Sequence, residues 1–360
     1  MKINSRLQNL RRRLTDKEID GILISQPENR YYLSGFNGSA GFLLITQQKA
    51  VLTTDFRYTE QAGIQSPDYE VFRITNNLSD WFPGLTGDLG IKSLGFEAEN
   101  VTFALHRQLS DALNEKQIPV KLVHVSGMVE SLRAIKEPEE IKLIKKAVAI
   151  ADTAYECLEK FIRPGMTEKD VAWEIEKHLR QSGSQTVPFE IIVAAGPNAA
   201  LPHARPSERK INPGEPVVID MGAKFDGYAS DLTRTICLHT PDATFKKVYG
   251  IVLDAQLAAL SSINEGMTGH AADNSARAVI KKAGYGEAFG HGLGHGVGLA
   301  THELPRLGTG SNEPLTSGMV FTVEPGVYLS GWGGIRIEDT AVMVEGKVVS
   351  LSRASKARYD

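Results

Sequence analysis

Two aspartates in the second half of the chain flank a predicted hairpin. An apolar run at residues 217–219 ends in Asp220, and the pair Asp226-Gly227 that follows is favoured in tight turns between antiparallel strands. We therefore expect Asp220 and Asp231 to face one another across the hairpin. Two facing carboxylates repel each other and raise one pKa, and a bound cation would remove that conflict. Either aspartate taken alone is more simply explained as a surface turn residue.

A glycine-rich segment at residues 289–298 carries His291 and His295, and His302 follows it. Its glycines do not fit G-x-G-x-x-G, and the helix and lysine of a phosphate loop are lacking, which disfavours a nucleotide site. His302-Glu303 begins like the zinc motif H-E-x-x-H but lacks the second histidine. Glycine alternating with histidine instead indicates imidazoles held where the backbone passes close to a ligand.

Two glutamates, Glu324 and Glu338, each lie in an apolar strand pattern. A buried carboxylate without a partner is unfavourable, so both require a cation. Arg336 is two residues from Glu338, so we expect the two side chains to share a strand face and to pair. That ion pair would satisfy Glu338 but would leave Glu324 unexplained.

These candidates form one set of four carboxylates and one imidazole: Asp220, Asp231, His295, Glu324 and Glu338. Oxygen-rich donors with one imidazole favour Mn²⁺, Co²⁺, Fe²⁺ or Zn²⁺ over a sulfur-rich structural zinc site. Four carboxylates exceed what one divalent ion needs. The set therefore predicts two ions bridged by shared oxygens.

The elements that must position these residues follow from hydrophobic periodicity. Residues 1–130 alternate between helix-like and strand-like segments, as in an α/β domain. The expected segments are an opening helix, strands at 21–24, 41–45, 50–53, 93–96 and 120–125, and a helix near 104–113. A domain boundary is expected near residues 126–136. Beyond it we expect a helix from Pro138 to Phe161, a capped helix from Thr167 to Leu179, and strands from Val217 onward, broken by helices near 245–263 and 270–283.

The bulk composition excludes several classes of protein. A chain of 360 residues favours two domains, and a net charge of −3 gives no electrostatic reason to bind nucleic acid or an anionic membrane. The opening segment predicts an amphipathic helix rather than a signal peptide, and no run approaches the ~20 apolar residues of a membrane span. Cys157 and Cys237 do not make a disulfide scaffold. We therefore expect a cytoplasmic protein.

The order Asp, Asp, His, Glu and Glu within these local motifs resembles the pita-bread metallopeptidases. That family includes prolidase, Xaa-Pro aminopeptidase and methionine aminopeptidase, with creatinase a non-peptidase relative. The resemblance extends from about Leu132 to the C-terminus, and the preceding residues resemble the creatinase-type N-terminal domain of the proline-specific members. It implies an α/β creatinase-like domain at residues 1–130 and an α+β pita-bread catalytic domain at residues 131–360.

The resemblance also implies a metal centre. It implies two divalent ions, with Mn²⁺ first and Co²⁺, Zn²⁺ or Fe²⁺ as alternatives, held by the five residues above and bridged by Asp231 and Glu338. Two such ions lower the pKa of shared water from about 15.7 toward neutrality and polarise the scissile carbonyl. Glu324 is then expected to accept and shuttle a proton as hydroxide attacks.

Further positions resemble family residues that act on the substrate. His203 resembles the histidine near the scissile bond, and His291 and His302 resemble the pair that contacts substrate and the developing tetrahedral intermediate. Arg336 resembles the arginine that braces the metal carboxylates. Arg306 follows His302 at a spacing resembling the carboxylate-binding arginine of prolidases, or else is a surface arginine after a proline turn.

The predicted activity is cleavage of the bond between a peptide's first residue and a following proline. An aminopeptidase acting on longer peptides and a dipeptidase both remain open, and the resemblance implies a homodimer. One alternative is another enzyme on the same scaffold, but simple methionine aminopeptidases lack a creatinase-type first domain and creatinase has replaced the metal ligands. The other is a non-catalytic binding protein, in which the ligands are typically lost.

Overall fold

The computed structural model describes residues 3–357 and 359. The chain divides into two compact units, Met1–Arg133 and Ala134–Asp360. Each unit buries hydrophobic clusters of its own, one in the first unit around Leu23 and Phe82, and others in the second around Ile219 and Phe321. None of the described helices has the length and apolarity needed to cross a membrane.

The first unit combines a mixed sheet with helices. Its strands are β1 (Gly21–Ile24), β2 (Phe42–Thr46), β3 (Ala50–Thr54), β4 (Glu70–Arg73), β5 (Ser93–Glu97) and β6 (Lys121–Val125). Its helices are α1 (Ile3–Asp16), α2 (Pro27–Ser34), α3 (Thr59–Gln65), α4 (Leu78–Asp88), α5 (Phe103–Glu115) and α6 (Glu130–Arg133). The strand order is β4-β3-β2-β1-β5-β6. Every residue of the central strand β1 is buried, as its continuous apolar run predicts.

The predicted elements of the first unit are confirmed where their hydrophobic signal is strong. The opening helix and the five expected strands coincide with α1, β1, β2, β3, β5 and β6, and the helix expected near residues 104–113 is α5. Helices α2, α3, α4 and α6 and strand β4 were not predicted. Helix α4 contains Pro83, Gly84 and Gly87, whose low helix propensity argues against a helix in the sequence. Strand β4 has no buried residue, so its sequence lacks the apolar pattern that predicts a strand.

The second unit surrounds its strands with four long helices. They are α7 (Pro138–Phe161), α8 (Glu168–Gln181), α9 (Ala243–Ser262) and α10 (Gly269–Lys282), all close to prediction. The strands are β7 (Ile192–Ala195), β8 (Pro216–Met221), β9 (Lys224–Phe225), β10 (Tyr228–Ala229), β11 (Leu232–Cys237), β12 (Gly294–Gly296), β13 (Glu303–Leu307), β14 (Val320–Val323), β15 (Gly326–Leu329), β16 (Gly333–Arg336), β17 (Asp339–Val344) and β18 (Lys347–Ser350). The 3₁₀ helices are Gly196–Ala200 and Gly286–Ala288.

Among the described residues, β9-β10 and β15-β16 form two-stranded sheets, and two larger sheets organise the other strands. One has the order β11-β8-β7, and its core is shared with α7 and α8. The other has the order β13-β12-β14-β17-β18, and its core is shared with α9 and α10. The helix starts follow their caps: Thr167 and Asp170 form a reciprocal capping box, and Pro138 occupies the first turn of α7. The helices therefore hold both sheets at defined positions around the site.

The hairpin that carries the two aspartates departs from prediction in its register. Asp226 and Gly227 have φ of 46° and 83°, which confirms the turn between β9 and β10. However, the cross-strand partner of Asp220 is Thr233, and Asp231 precedes β11. The expectation that the two aspartates face one another directly is wrong, because the two-residue turn Asp226-Gly227 sets a register that continues unshifted into the long strand pair and puts Thr233 opposite Asp220. Asp231 therefore lies diagonally from Asp220.

The two glutamates lie at strand ends rather than inside strands, which corrects the predicted pattern. Strand β14 ends at Val323, and Glu324 is followed by Pro325, which cannot donate to a ladder. Glu338 lies between β16, which pairs with β15, and β17 of the five-stranded sheet, and its backbone N–H donates to the carbonyl of Thr233. Both carboxylates project from points where backbone pairing changes partner.

Candidate active site

A cavity of about 480 Å³ within the second unit collects nearly all the predicted site residues. The predicted residues that line it are His203, Asp220, Asp231, His291, His295, His302, Glu324, Arg336 and Glu338. Its remaining walls include the apolar side chains of Phe189, Ile192 and Pro202. A cavity of this size suits a small peptide or a similar ligand. Arg306 lies outside this lining, on β13.

The guanidinium of Arg336 is bound to Asp220 and not to Glu338. Its Nη2 lies 2.7 Å from Asp220 Oδ2, and its Nε donates to Thr233 Oγ1 at 3.1 Å. Thr233 Oγ1 in turn donates to Glu338 Oε2 at 2.7 Å, so a hydroxyl separates the predicted ion pair. Burial by itself would lower the pKa of Arg336, but Tyr328, Asp220 and Glu324 outweigh it and the pKa is raised well above its ordinary value. The arginine is thus a permanent cation fixed behind one carboxylate.

Three of the predicted ligands form a tight cluster. One donor atom from each of Asp231, His295 and Glu338 lies within 4.8 Å of the others. Burial, followed by repulsion from neighbouring carboxylates, raises the pKa of Asp231 and of Glu338 well above the ordinary value. Burial and then the neighbouring His302 lower the pKa of His295 to about 4, so its ring is neutral at pH 7. A neutral imidazole between acidic oxygens is the protonation state that a metal ligand requires.

Glu324 and Asp220 adjoin this cluster. Glu324 Oε1 lies 3.4 Å from His295 Nε2 and accepts a hydrogen bond from Thr322 Oγ1 at 3.2 Å. Burial raises the pKa of Glu324 to about 8. Asp220 is one of the residues whose charge raises that pKa, and it also acts on Asp231. The charge of Asp220 therefore raises the pKa of the other three carboxylates, Asp231, Glu324 and Glu338, within a single cavity.

The donor set fits divalent cations. Among the described residues, Asp220 Oδ1 is one of few buried side-chain oxygens that have no hydrogen-bond partner. Buried carboxylate oxygens are normally paired, so this atom points to a ligand. Four carboxylates face one guanidinium, and two divalent ions would neutralise the excess while using oxygen and imidazole donors of the kind that Mn²⁺ and related metals accept. These features are those of a metallohydrolase.

The glycine-rich segment is held by α10. The carboxylate of Asp273 accepts from Leu293 N at 2.9 Å and pairs with Arg277, which donates to the carbonyl of His291 at 2.7 Å. A Cβ on Gly294 would meet the carbonyl of Thr322 in β14. These glycines therefore allow a close approach to neighbouring strands. Gly292 and Gly294 also line the cavity, so the expectation that this backbone passes close to a ligand stays a prediction.

His291 uses both ring nitrogens within the protein. Nδ1 lies 2.8 Å from the carbonyl of Gly292, which can only accept, so this nitrogen carries the proton. Burial lowers the pKa of His291 to about 4, so the ring is neutral and Nε2 accepts from the hydroxyl of Tyr328 at 2.9 Å. That hydroxyl also accepts from Arg336 Nη1 at 3.0 Å. In this arrangement His291 has no spare ring proton for a substrate.

Of the remaining predicted residues, His203 and His302 line the cavity and Arg306 does not. The ring of His302 packs 4.3 Å from that of His295, and burial lowers the pKa of His302. His203 lies in the loop after the 3₁₀ helix Gly196–Ala200. Arg306 is exposed and is the cross-strand partner of His295, so both side chains leave the same face of the sheet.

Three further residues of the site were not predicted from the sequence. Thr233 and Thr322 each lie two positions from a metal-ligand candidate, so strand periodicity would have placed them on the same face. Tyr328 has no such signal, because a tyrosine in an apolar strand resembles a core residue.

Comparison with known proteins agrees with this chemistry. The model of metallopeptidase family M24 matches residues 142–345, and that of the creatinase/prolidase N-terminal domain matches residues 6–135. An Xaa-Pro dipeptidase of Pyrococcus horikoshii is 36% identical over 356 residues, which are 98% of each chain. A solved Xaa-Pro dipeptidase structure from Bacillus anthracis has a TM-score of 0.95 at 41% identity over 99% of each chain. An X-Pro aminopeptidase structure from Thermotoga maritima has a TM-score of 0.89 at 38% identity over 98% of each chain.

This fold and site define a class of enzyme, the metallopeptidases with a creatinase-type first domain. The chain belongs to metallopeptidase family M24, whose members depend on divalent metal ions and act on peptides. The predicted family, the α/β domain followed by a pita-bread catalytic domain, and the predicted enzyme class are confirmed.

Proposed function

We propose that this protein is a dinuclear metal-dependent exopeptidase that hydrolyses the bond between an N-terminal residue and a following proline. The observation that carries the proposal is Asp220 Oδ1, a buried oxygen without a hydrogen-bond partner among the described residues, in a cavity that it shares with Asp231, Glu324, Glu338 and the neutral imidazole of His295. The relatives support the specificity, since those compared above are named for Xaa-Pro or X-Pro substrates.

The metal ligands in this proposal are Asp220, Asp231, His295, Glu324 and Glu338, with Asp231 and Glu338 shared between two ions. Mn²⁺ is proposed first, with Co²⁺, Zn²⁺ or Fe²⁺ as alternatives that the donor chemistry also accepts. When bound, such ions acidify water and polarise a carbonyl oxygen. Arg336 holds Asp220 in place through its 2.7 Å bond, and Thr233 does the same for Glu338.

The chain's own residues then divide the proton transfers and the substrate contacts. We propose Glu324 as the general base, because its carboxylate lines the cavity and lies 3.4 Å from His295 Nε2. His203 and His302 line the cavity and are proposed to contact the substrate around the scissile bond. His291 is proposed to act together with Tyr328, whose hydroxyl it orients at 2.9 Å.

Arg306 is proposed to bind the free carboxylate of an Xaa-Pro dipeptide. Its support is the shared sheet face with His295 and its exposed guanidinium, which has the geometry for bidentate carboxylate binding. The alternative is an aminopeptidase acting on longer Xaa-Pro peptides, in which Arg306 is a surface residue.

We further propose residues 1–130 and 131–360 as the creatinase-like and catalytic domains, and a cytoplasmic homodimer as the functional form. The unpaired Cys157 and Cys237 fit a reducing compartment.

Two other functions are less well supported. A methionine aminopeptidase does not account for the creatinase-type domain matched at residues 6–135. A non-catalytic binding protein does not account for an intact set of five ligand residues in one cavity.

The proposal is tested with a panel of peptides and added metals. Xaa-Pro dipeptides, Xaa-Pro tripeptides, matched Xaa-Ala peptides and Met-Ala peptides are incubated with the metal-loaded protein. We expect cleavage wherever proline is second and little cleavage of the matched alanine peptides. Faster cleavage of Met-Ala peptides would favour the methionine aminopeptidase alternative, and no cleavage by protein shown to hold metal would favour a binding protein.

A further inference from the structure

A second charged network lies behind the cavity, on the opposite side of the strands that carry the metal-ligand candidates. Its centre is Arg234 in β11, whose side chain is 1% exposed. The acceptors of its guanidinium are the carbonyls of Thr233, Glu338, Ala354 and Ser355 and the carboxylate of Asp339. A guanidinium has five N–H donors, so these acceptors use its full capacity.

The two networks are related by strand alternation. Inside the cavity, Thr233 Oγ1 donates to Glu338 Oε2 at 2.7 Å. Behind it, the next residues along the same two segments pair, with Arg234 Nη2 lying 2.9 Å from Asp339 Oδ1. Because successive side chains in extended chain point to opposite faces, the rear pair fixes the backbone from which the front pair projects.

The C-terminal segment, residues 350–356, completes the rear network. Lys356 Nζ lies 2.5 Å from Asp339 Oδ2, and Ser350 Oγ donates to the same oxygen at 3.0 Å. Upstream, the buried carboxylate of Asp152 accepts from the backbone N–H groups of Arg353 and Ala354 at 2.9 Å each. The segment is therefore anchored to both α7 and β17. It supplies a cation to Asp339, which is 1% exposed at its side chain.

We propose that Lys356 and the C-terminal segment are positioning elements of the metal centre. They act through Asp339 and Arg234, which hold the backbone of Glu338 and so aim its carboxylate into the cavity. The inference rests on the proposed function, because it takes Glu338 as a metal ligand. Loss of an outer partner of a metal ligand typically weakens metal affinity by about 10–100-fold.

The test compares Lys356→Met with Lys356→Arg and with Lys347→Met in the full chain. Lys347 is an exposed lysine on the neighbouring strand β18 and serves as the matched control. Mn²⁺ affinity and stoichiometry are measured by titration calorimetry and elemental analysis, and thermal unfolding is measured on the metal-free proteins. We expect Lys356→Met to bind Mn²⁺ at least about tenfold more weakly than wild type. The control should bind as wild type does, and Lys356→Arg should recover most of the loss.

Ser350→Ala is the milder variant if Lys356→Met does not fold, and we expect it to weaken Mn²⁺ binding in the same sense. Unchanged Mn²⁺ affinity in the folded variants, even with a lowered unfolding temperature, would overturn the inference and leave the segment a stabiliser of the fold alone. A wild-type protein that binds no Mn²⁺ or related ion would instead overturn the proposed function, and the inference with it.

Discussion

In the first unit, the carboxylate of Glu97 is buried and well satisfied, whereas the buried carboxylates of the second unit crowd one another. Glu97 accepts from Ser25 N at 2.6 Å, Ser25 Oγ at 2.9 Å, Gln26 N at 2.7 Å and Asn29 Nδ2 at 2.6 Å. In the cavity, Asp220 has a buried oxygen without a hydrogen-bond partner among the described residues, and Glu338 raises the pKa of Asp231 more than any other cause except burial.

The comparison shows that burial alone does not identify a catalytic carboxylate. Burial raises the pKa of Glu97 and of Glu324 alike. The difference lies in the surroundings, since hydrogen-bond donors of the protein compensate Glu97, and the cavity carboxylates instead need a cation from outside the chain. Glu97 therefore stabilises its own unit by holding Ser25 and Gln26, which lead into α2, whereas the cavity carboxylates repel one another until a metal binds.

Removal of metal should produce the largest effect. We expect a chelator to abolish peptide hydrolysis and added Mn²⁺ or Co²⁺ to restore it, because the five ligand candidates then lose the cations that neutralise them. Peptide turnover is measured alongside elemental analysis of the same sample. Glu97→Gln should leave the bound metal unchanged. Full turnover in protein shown to contain no metal would break the comparison.

Replacement of a cavity carboxylate should produce the next largest effect. We expect Glu324→Gln to lower kcat by about 10²–10⁴, the range for loss of acid–base catalysis. Glu97→Gln is the matched control: it should keep kcat but lower the free energy of unfolding by about 1–3 kcal/mol, because buried donors lose a charged acceptor. Near-normal kcat in a fully metallated Glu324→Gln enzyme would refute the proposed base.

Replacement of Arg306 should have a smaller and selective effect. We expect Arg306→Ala to lower kcat/KM for Xaa-Pro dipeptides by a factor that corresponds to about 1.5–3 kcal/mol, the scale of a charged hydrogen bond. The kcat/KM for longer peptides should stay nearly unchanged. Arg205→Ala is the matched comparison, because Arg205 lines the cavity but pairs with Glu190 at 3.1 Å. Equal losses for dipeptides and tripeptides in Arg306→Ala would favour the aminopeptidase alternative.

The pH dependence of the metal-free protein should show the smallest effect. Glu324 has a folded pKa of about 8 against an ordinary 4.5, so its contribution to stability is complete below pH 4.5 and is lost as pH rises through 8. His291 and His295 have folded pKa values of about 4 against an ordinary 6.5. Their contribution to stability is therefore lost as pH falls below 6.5, and it does not change between pH 6.5 and 8. We therefore expect the metal-free protein to lose stability between pH 6.5 and 8, and Glu324→Gln to lose less. Thermal unfolding of chelated samples measures this, and identical pH profiles for the two proteins would contradict it.

Local signals made much of the fold predictable. The capping box at Thr167, the proline at the start of α7 and the apolar runs of β1 and β8 each act within one element, so no distant residue is needed to interpret them. Helix α4 was missed because its stability comes from packing Trp81 and Phe82 into a core, against the propensity of its proline and glycines.

The sequence by itself determined the donor types of the site, because carboxylates, imidazoles and an Asp-Gly turn keep their chemistry in any fold. Only the tertiary structure decided their partners. Arg336 binds Asp220 rather than Glu338, His291 Nε2 pairs with the hydroxyl of Tyr328, and Arg234 joins the C-terminal segment to the backbone of Glu338. These pairings join residues far apart in the chain, and their geometry follows from register and burial, which the packing of the sheets and helices sets.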